Sequence, residues 1–221
     1  MRISRDFLEQ AEKRFLLHGK KRQANVYVVE VNGIPVVVKD YVDKGFFSRW
    51  YGGYTLWREL RNYIYLQQFD FVPRLIERID RWAFAIEYVD GPTVAEMEGQ
   101  SAFCFLPEKL ENAVLELHRN RFFHLDLRKR GNVMCRDGKV VLIDFASSVQ
   151  FSKWNPMYWL IGPIFRYVDI SAVIKWRLFI CPDSLSEMDR RFLRRFEWFR
   201  MFWFINKPRL PKRPGEKEDG N

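Results

Sequence analysis

Arg121–Ser148 reads RFFHLDLRKRGNVMCRDGKVVLIDFASS, and this stretch decides how the rest of the chain is read. Two apolar runs, NVMC and VVLI, flank the turn RDGK, so a short hairpin is predicted here. The hairpin delivers Asp144 at the end of its second strand. Ahead of it lie His124, Asp126 and Asn132, with Arg128, Lys129 and Arg130 between the last two. Five residues separate Asp126 from Asn132 where four are expected, and a bulge at Gly131 is expected to absorb the extra residue.

A carboxylate fixed directly after a buried strand suits a divalent-cation ligand, and an asparagine adds a neutral oxygen. A second carboxylate on the preceding loop is placed to orient or deprotonate a hydroxyl. Phosphoryl transfer asks for these groups together with a cation on the phosphates. Lys39 ends the apolar run VVVK, and Glu59 follows on a predicted helix at a distance suited to an ion pair. Each residue also has an ordinary reading: a strand-end lysine, a surface glutamate, a turn aspartate, a loop asparagine. His124 is expected to pack or hydrogen-bond beneath the loop. Asp169 is expected to anchor structure rather than bind substrate.

Outward from this stretch, residues 1 to 18 read as a helix, with Phe7, Leu8, Ala11, Phe15 and Leu16 at helical spacing. Alternation around Val26 and Val28, the turn Asn32-Gly33 and the run Val36–Val38 predict two antiparallel strands ending at Lys39. A helix is expected over roughly 55 to 68, then two strands around Asp80-Arg81. A helix is predicted over 107 to 121, opened by Pro107. Another is expected from about Leu185 to Ile205, capped by Asp183 or Ser184. The proline-rich tail after 206 reads as disordered. The fold class is therefore α+β, with an N-terminal lobe over 1–89, a C-terminal lobe over 90–206 and a tail over 207–221.

The order VVVK, helix glutamate, HLDLRKRGN, VLIDFA resembles the protein-kinase-like superfamily, with its H-x-D-x-x-x-x-N loop and D-F-G metal motif. The likeness covers roughly residues 20 to 150 and is strongest from Phe123 to Phe145. Within it the chain is most similar to the small bacterial lipopolysaccharide-core kinases, including those acting on the Kdo sugar of lipid A precursors, and to RIO-type kinases. The resemblance implies a bilobal fold, ATP and Mg²⁺ as cofactors, and transfer of the γ-phosphate to an alcohol. By it Lys39 matches the phosphate-binding lysine, Glu59 its partner, Asp126 the catalytic aspartate, and Asn132 and Asp144 the metal ligands. IEYVDG matches the hinge, whose backbone near Glu87 and Val89 would bond adenine.

Besides the fifth residue between Asp126 and Asn132, the chain departs from that pattern in three places. HGKKRQANVYVV carries Gly19 as its only glycine, where the family has a glycine-rich cover. Ala146 replaces the last glycine of D-F-G. No A-P-E segment follows, which argues against a protein-docking platform. The family's alternatives remain open: a RIO-like kinase of proteins or small molecules, or a catalytically inactive binding module.

Of the 221 residues 48% are hydrophobic and the formal charge is +9, which fits a folded chain with a polyanionic partner. The basic loop and the resemblance point to an anionic glycolipid or small-molecule acceptor. Nucleic acid is not expected, since no recognition module is found. Three cysteines at no metal-site spacing fit a reducing compartment. No signal peptide or spanning segment is read, so a cytoplasmic location is expected. WNPMYWLIGPIFRYV and the arginine- and aromatic-rich segment after Ser186 allow two readings: peripheral contact with the inner membrane, or core helices with a basic outer face.

Overall fold

The computed structural model describes residues 2–20, 23–43 and 45–200, leaving out the side chains of 46–51 and 197–200. The chain begins with helix α1 (Arg5–Gln10), whose N-terminus is capped by Ser4 Oγ accepting the Phe7 N–H at 3.1 Å. Ala11 is extended (φ −70°, ψ 143°) and ends it. The following residues form strand β1 (Arg14–Leu17) rather than more helix. The expected single helix over 1–18 is thus corrected. Phe15 and Leu17 are drawn into an edge strand by pairing with Tyr27 and Val26.

Strands β2 (Asn25–Val31) and β3 (Ile34–Asp40) meet at Asn32-Gly33, both residues at positive φ as a tight hairpin requires. Helix α2 (Phe46–Leu66) follows, starting earlier than expected. Strands β4 (Leu75–Arg78) and β5 (Ala83–Glu87) complete an antiparallel sheet in the order β1-β2-β3-β5-β4. Its faces alternate as a pleat dictates. Tyr27, Val29, Val36, Val38 and Ala85 pack under Ile3 and Leu8. Val28, Val37, Phe84 and Ile86 face the other way, against Leu56, Leu60 and Tyr63 of α2.

The C-terminal region is helix-rich. It holds α3 (Leu106–Arg119), the two-residue strand β6 (Phe122–Phe123), and the hairpin β7 (Val133–Arg136) and β8 (Lys139–Leu142). Strand β9 (Val149–Gln150) pairs with β6, and α4 (Met157–Ile180) and α5 (Glu187–Arg200) follow. Helix α5 is capped at Ser186, not at Asp183 or Ser184. Ser186 Oγ accepts the Asp189 N–H at 3.0 Å, and Asp189 Oδ2 accepts the Ser186 N–H at 3.1 Å. This reciprocal box decides the start, while Pro182–Ser184 forms a separate 3₁₀ turn. The expected end at Ile205 and the tail over 207–221 lie outside the described residues.

The architecture is α+β, a strand-rich N-terminal region beside a helix-rich C-terminal one. One hydrophobic cluster runs through both, joining Phe84 and Ile86 to Leu117, Phe145 and Trp176. The connection between them is pinned. Cys135 N–H donates to Pro92 O at 2.9 Å and Val94 N–H to Val133 O at 2.9 Å. A Cβ at position 91 would strike the Cys135 carbonyl, so only glycine allows this approach.

Two of the three cysteines are paired. Cys104 and Cys181 form a disulfide with Cα atoms 5.2 Å apart, tying the start of α3 to the end of α4. The count and spacing had suggested three thiols. Cys135 alone is free and buried.

Candidate functional site

Lys39 sits one residue from the end of β3, abreast of Val26 on one side and Phe84 on the other. Alternation puts it on the same face as Val37, toward α2. Its Nζ bonds Oε1 of Glu59, which is buried on α2, and reaches Asp144 Oδ1 at 3.2 Å. Burial pulls the ammonium's pKa down, but the two carboxylates raise it by more, so Lys39 stays charged far into the alkaline range. Lys39 in turn, working against burial and aided by Lys129, holds Asp144 well below the usual carboxylate range.

Helix α2 also grips the segment after Asp144. Asn62 Nδ2 donates to Phe145 O at 2.9 Å, and the Phe145 N–H bonds the Glu59 carboxylate. Glu59 and Asn62 are three residues apart and share a helix face. The Phe145 ring lies edge-on to Tyr63 at 5.1 Å and against His124 at 4.9 Å, and Tyr63 touches Phe84 at 5.7 Å. Four rings thus link the sheet, α2 and the loop. Asp144 takes the left-handed conformation (φ 67°). Aspartate tolerates this better than most residues, and Ala146 is not asked to.

The extra residue between Asp126 and Asn132 is absorbed without a glycine bulge. Two successive turns carry it: Lys129 N–H donates to Asp126 O at 3.2 Å, and Asn132 N–H to Lys129 O at 3.2 Å. Gly131 is not at positive φ, and a Cβ there would meet nothing within 4 Å. The path returns Asn132 to Asp126, its Nδ2 donating to Asp126 O at 3.0 Å and Oδ2 at 3.1 Å. Burial raises the Asp126 pKa, with Lys129 pulling against that shift.

Helix α4 holds this loop from below. Asp169 accepts the His124 N–H at 2.9 Å and the Leu125 N–H at 2.8 Å, and His118 Nε2 lies 3.1 Å from it. Trp176 Nε1 donates to Leu127 O at 2.7 Å, and Lys175 Nζ to Arg128 O at 2.8 Å. His124 is fully buried, and burial lowers its pKa. Its Nε2–H donates to Ile143 O at 3.1 Å, since a carbonyl can only accept. The histidine packs beneath the loop.

The three basic loop residues part company. Arg128 turns inward, donating to Ser171 O at 3.1 Å and lying 4.9 Å from the Phe196 ring centre. Arg130 lies 3.6 Å from Glu98. Lys129 reaches Asp144, with Nζ 2.9 Å from its Oδ2.

At the expected hinge, Glu87 N–H is taken by Arg74 O at 2.8 Å. Its carboxylate accepts the Arg74 N–H at 3.0 Å and pairs with Arg136 at 2.5 Å. An adenine edge would therefore have to use the Glu87 carbonyl and the backbone of Val89, whose side chain is buried. Behind this strand lies a surface pocket of about 380 Å³ between Gln67, Arg74, Glu87, Arg136 and Lys139, away from Lys39.

Among the described residues no three His, Cys, Asp or Glu side chains gather as a metal cluster. The donors at hand are the Asp144 carboxylate and the Asn132 amide, with Asp126 adjoining. Such a sparse, all-oxygen set fits Mg²⁺, which keeps several waters and takes further ligands from phosphates. No family model matches the chain, and no curated protein matches it.

The sequence reading missed Asn62 and Trp176, and it grouped Lys129 with Arg128 and Arg130 without assigning it to Asp144. Asn62 had a signal, being polar in the apolar stripe of Leu56, Leu60 and Tyr63. Lys129 had none that set it apart from its neighbours.

Proposed function

We propose that the chain is an ATP- and Mg²⁺-dependent phosphotransferase of protein-kinase-like bilobal fold. Its acceptor is a sugar hydroxyl of a lipopolysaccharide precursor of the Kdo-lipid A kind. The observation that carries the reading is the bridge of Lys39 between Glu59 and Asp144, with Asp126 and Asn132 bonded beside it. Those are the residues the resemblance to the superfamily singles out. The sugar acceptor rests on the resemblance to the lipopolysaccharide-core kinases.

In this reading Lys39, fixed by Glu59, neutralises phosphate oxygens. Asp144 and Asn132 hold Mg²⁺, which when bound offsets the charge of the phosphates. Asp126 accepts the hydroxyl proton as the acceptor oxygen bonds the γ-phosphorus and the β–γ bridging P–O bond breaks, releasing ADP. Leu17, Val26 and Lys39 lie abreast across the sheet, so an apolar surface adjoins the cation where a base or ribose would rest. Lys129 adds a second cation that can exchange Asp144 for a phosphate.

Incubation with Mg-ATP and Kdo-lipid A should yield a phosphorylated sugar, and Asp126→Ala should lose turnover while keeping its fold. ATP binding without that product would sink the acceptor assignment and leave protein or small-molecule acceptors. A second reading, an inactive kinase-like binding module, is favoured by the engagement of both Asp144 oxygens with lysines. Failure to bind Mg-ATP at millimolar nucleotide would select it.

A further inference from the structure

Helix α4 is apolar and long enough to cross a membrane by length and composition, yet its second half belongs to the core. Val168, Ala172, Val173, Trp176 and Ile180 are buried, and Asp169 and Trp176 hold the loop that carries Asp126. Removing this half to a bilayer would dismantle the fold, so α4 does not span.

Its first half is divided lengthwise. Tyr158 and Phe165 pack on Phe123 and Phe151. The opposite face is open to solvent: Trp159 is 74% exposed, Leu160 70% and Trp154, just ahead of the helix, 94%, joined by Met157 and Ile164. Large aromatic and aliphatic side chains gathered in this way mark an interaction surface. Along this stretch of chain the charge has one sign. No acidic residue occurs between Asp144 and Asp169, whereas Lys153 and Arg166 flank the patch and are exposed. Arg121 braces its leading edge, donating to Ser152 O at 3.3 Å and lying over Tyr158. Further along, α5 packs on α4 through Phe192 against Tyr167, and brings Arg195 close to the same phenol.

We propose that the first two turns of α4, with Trp154, dock on an anionic phospholipid surface, the apolar side chains entering the headgroup region and the basic rim meeting lipid phosphates. Tryptophan with arginine and lysine suits such an interface. A second copy of the chain fits poorly, because pairing this face with itself would bring together basic rims on molecules that each carry a charge of +9. The surface also stands near the candidate site. Leu160 and Asp169 are nine residues apart on one helix, or ~14 Å at 1.5 Å per residue. A lipid-linked acceptor would therefore be presented close to the loop. That last link rests on the phosphotransferase reading; the docking itself does not.

The test is flotation of the full-length protein, without nucleotide, on vesicles of phosphatidylcholine with and without phosphatidylglycerol. Binding is expected on the anionic vesicles only, and Trp159→Asp with Leu160→Asp should weaken it at least tenfold with an unchanged melting temperature. Equal flotation of the variant would overturn the proposal and place any contact elsewhere. Equal binding to neutral vesicles would overturn the role of charge. No flotation, or a dimer that the variant dissociates, would overturn the lipid surface as occupant. Because no ATP is present, failure here is distinct from failure of the phosphotransfer assay.

Discussion

Asp169 holds Leu125 in a left-handed backbone conformation: its Oδ1 accepts the Leu125 N–H at 2.8 Å while Leu125 stands at φ 65°. A leucine pays for that conformation in strain, and a carboxylate on a buried helix face supplies the compensation.

Asp169→Ala leaves the N–H groups of His124 and Leu125 and the His118 ring without their acceptor. A loss of about 3 kcal/mol is expected in denaturant unfolding, together with a collapse of turnover. Adding Leu125→Gly should restore about 1 kcal/mol, since glycine takes positive φ freely. No recovery in the double variant would show that Leu125 is not strained.

Lys39→Met strands the Glu59 carboxylate against apolar neighbours. It should cost about 3 kcal/mol, and Lys39→Met with Glu59→Gln should cost distinctly less. A double-mutant cycle with additive costs would contradict the buried pair.

In the proposed reaction Asp126 must be ionised to accept a proton, and burial raises its pKa. Activity should therefore fall off with acid at a pH above that of an ordinary aspartate. Lys129 pulls the value down, so Lys129→Met should move the acid limb of kcat/KM to higher pH. A limb that stays in place would remove Asp126 as the titrating group.

The depressed pKa of Asp144 makes its ionised form a source of stability. That contribution is present above the unfolded value near 3.8 and is lost as pH falls through the lower folded value. In metal-free buffer, the stability difference between the protein and Asp144→Asn should hold constant from about pH 5 to 8 and shrink only in strong acid. A difference that changes near neutrality would point to another group.

The parts legible in the sequence are those in which one local signal dominates. Asn32-Gly33 and Asp137-Gly138 fix two hairpins through positive φ, and the continuous apolar runs Tyr27–Val29 and Val36–Val38 report strands buried on both faces. The Lys39–Glu59 pair could be anticipated because a strand end and a helix face were both readable. Strand β1 was not. All four of its residues are exposed, so no alternation appears, and the spacing of Phe7, Leu8, Ala11 and Phe15 imitates a helix. The loop after Asp126 was illegible for a different reason. Its side chains are sorted by α4, which begins 31 residues later, and nothing local says that Arg128 turns under while Lys129 turns toward Asp144.

The Cys104–Cys181 bond spans 77 positions of sequence. It makes a covalent ring of α3, the loop, the β7–β8 hairpin and α4, with the strand-rich region attached at one point of its circumference. Within a ring, one backbone break does not separate the pieces. A cut at the exposed Asp137-Gly138 turn would leave Asp126 and Asp144 on different peptide segments, still tethered through sulfur and still packed on the same core. Chain continuity between those two carboxylates is thus supplied twice, once by the hairpin and once by the long way round.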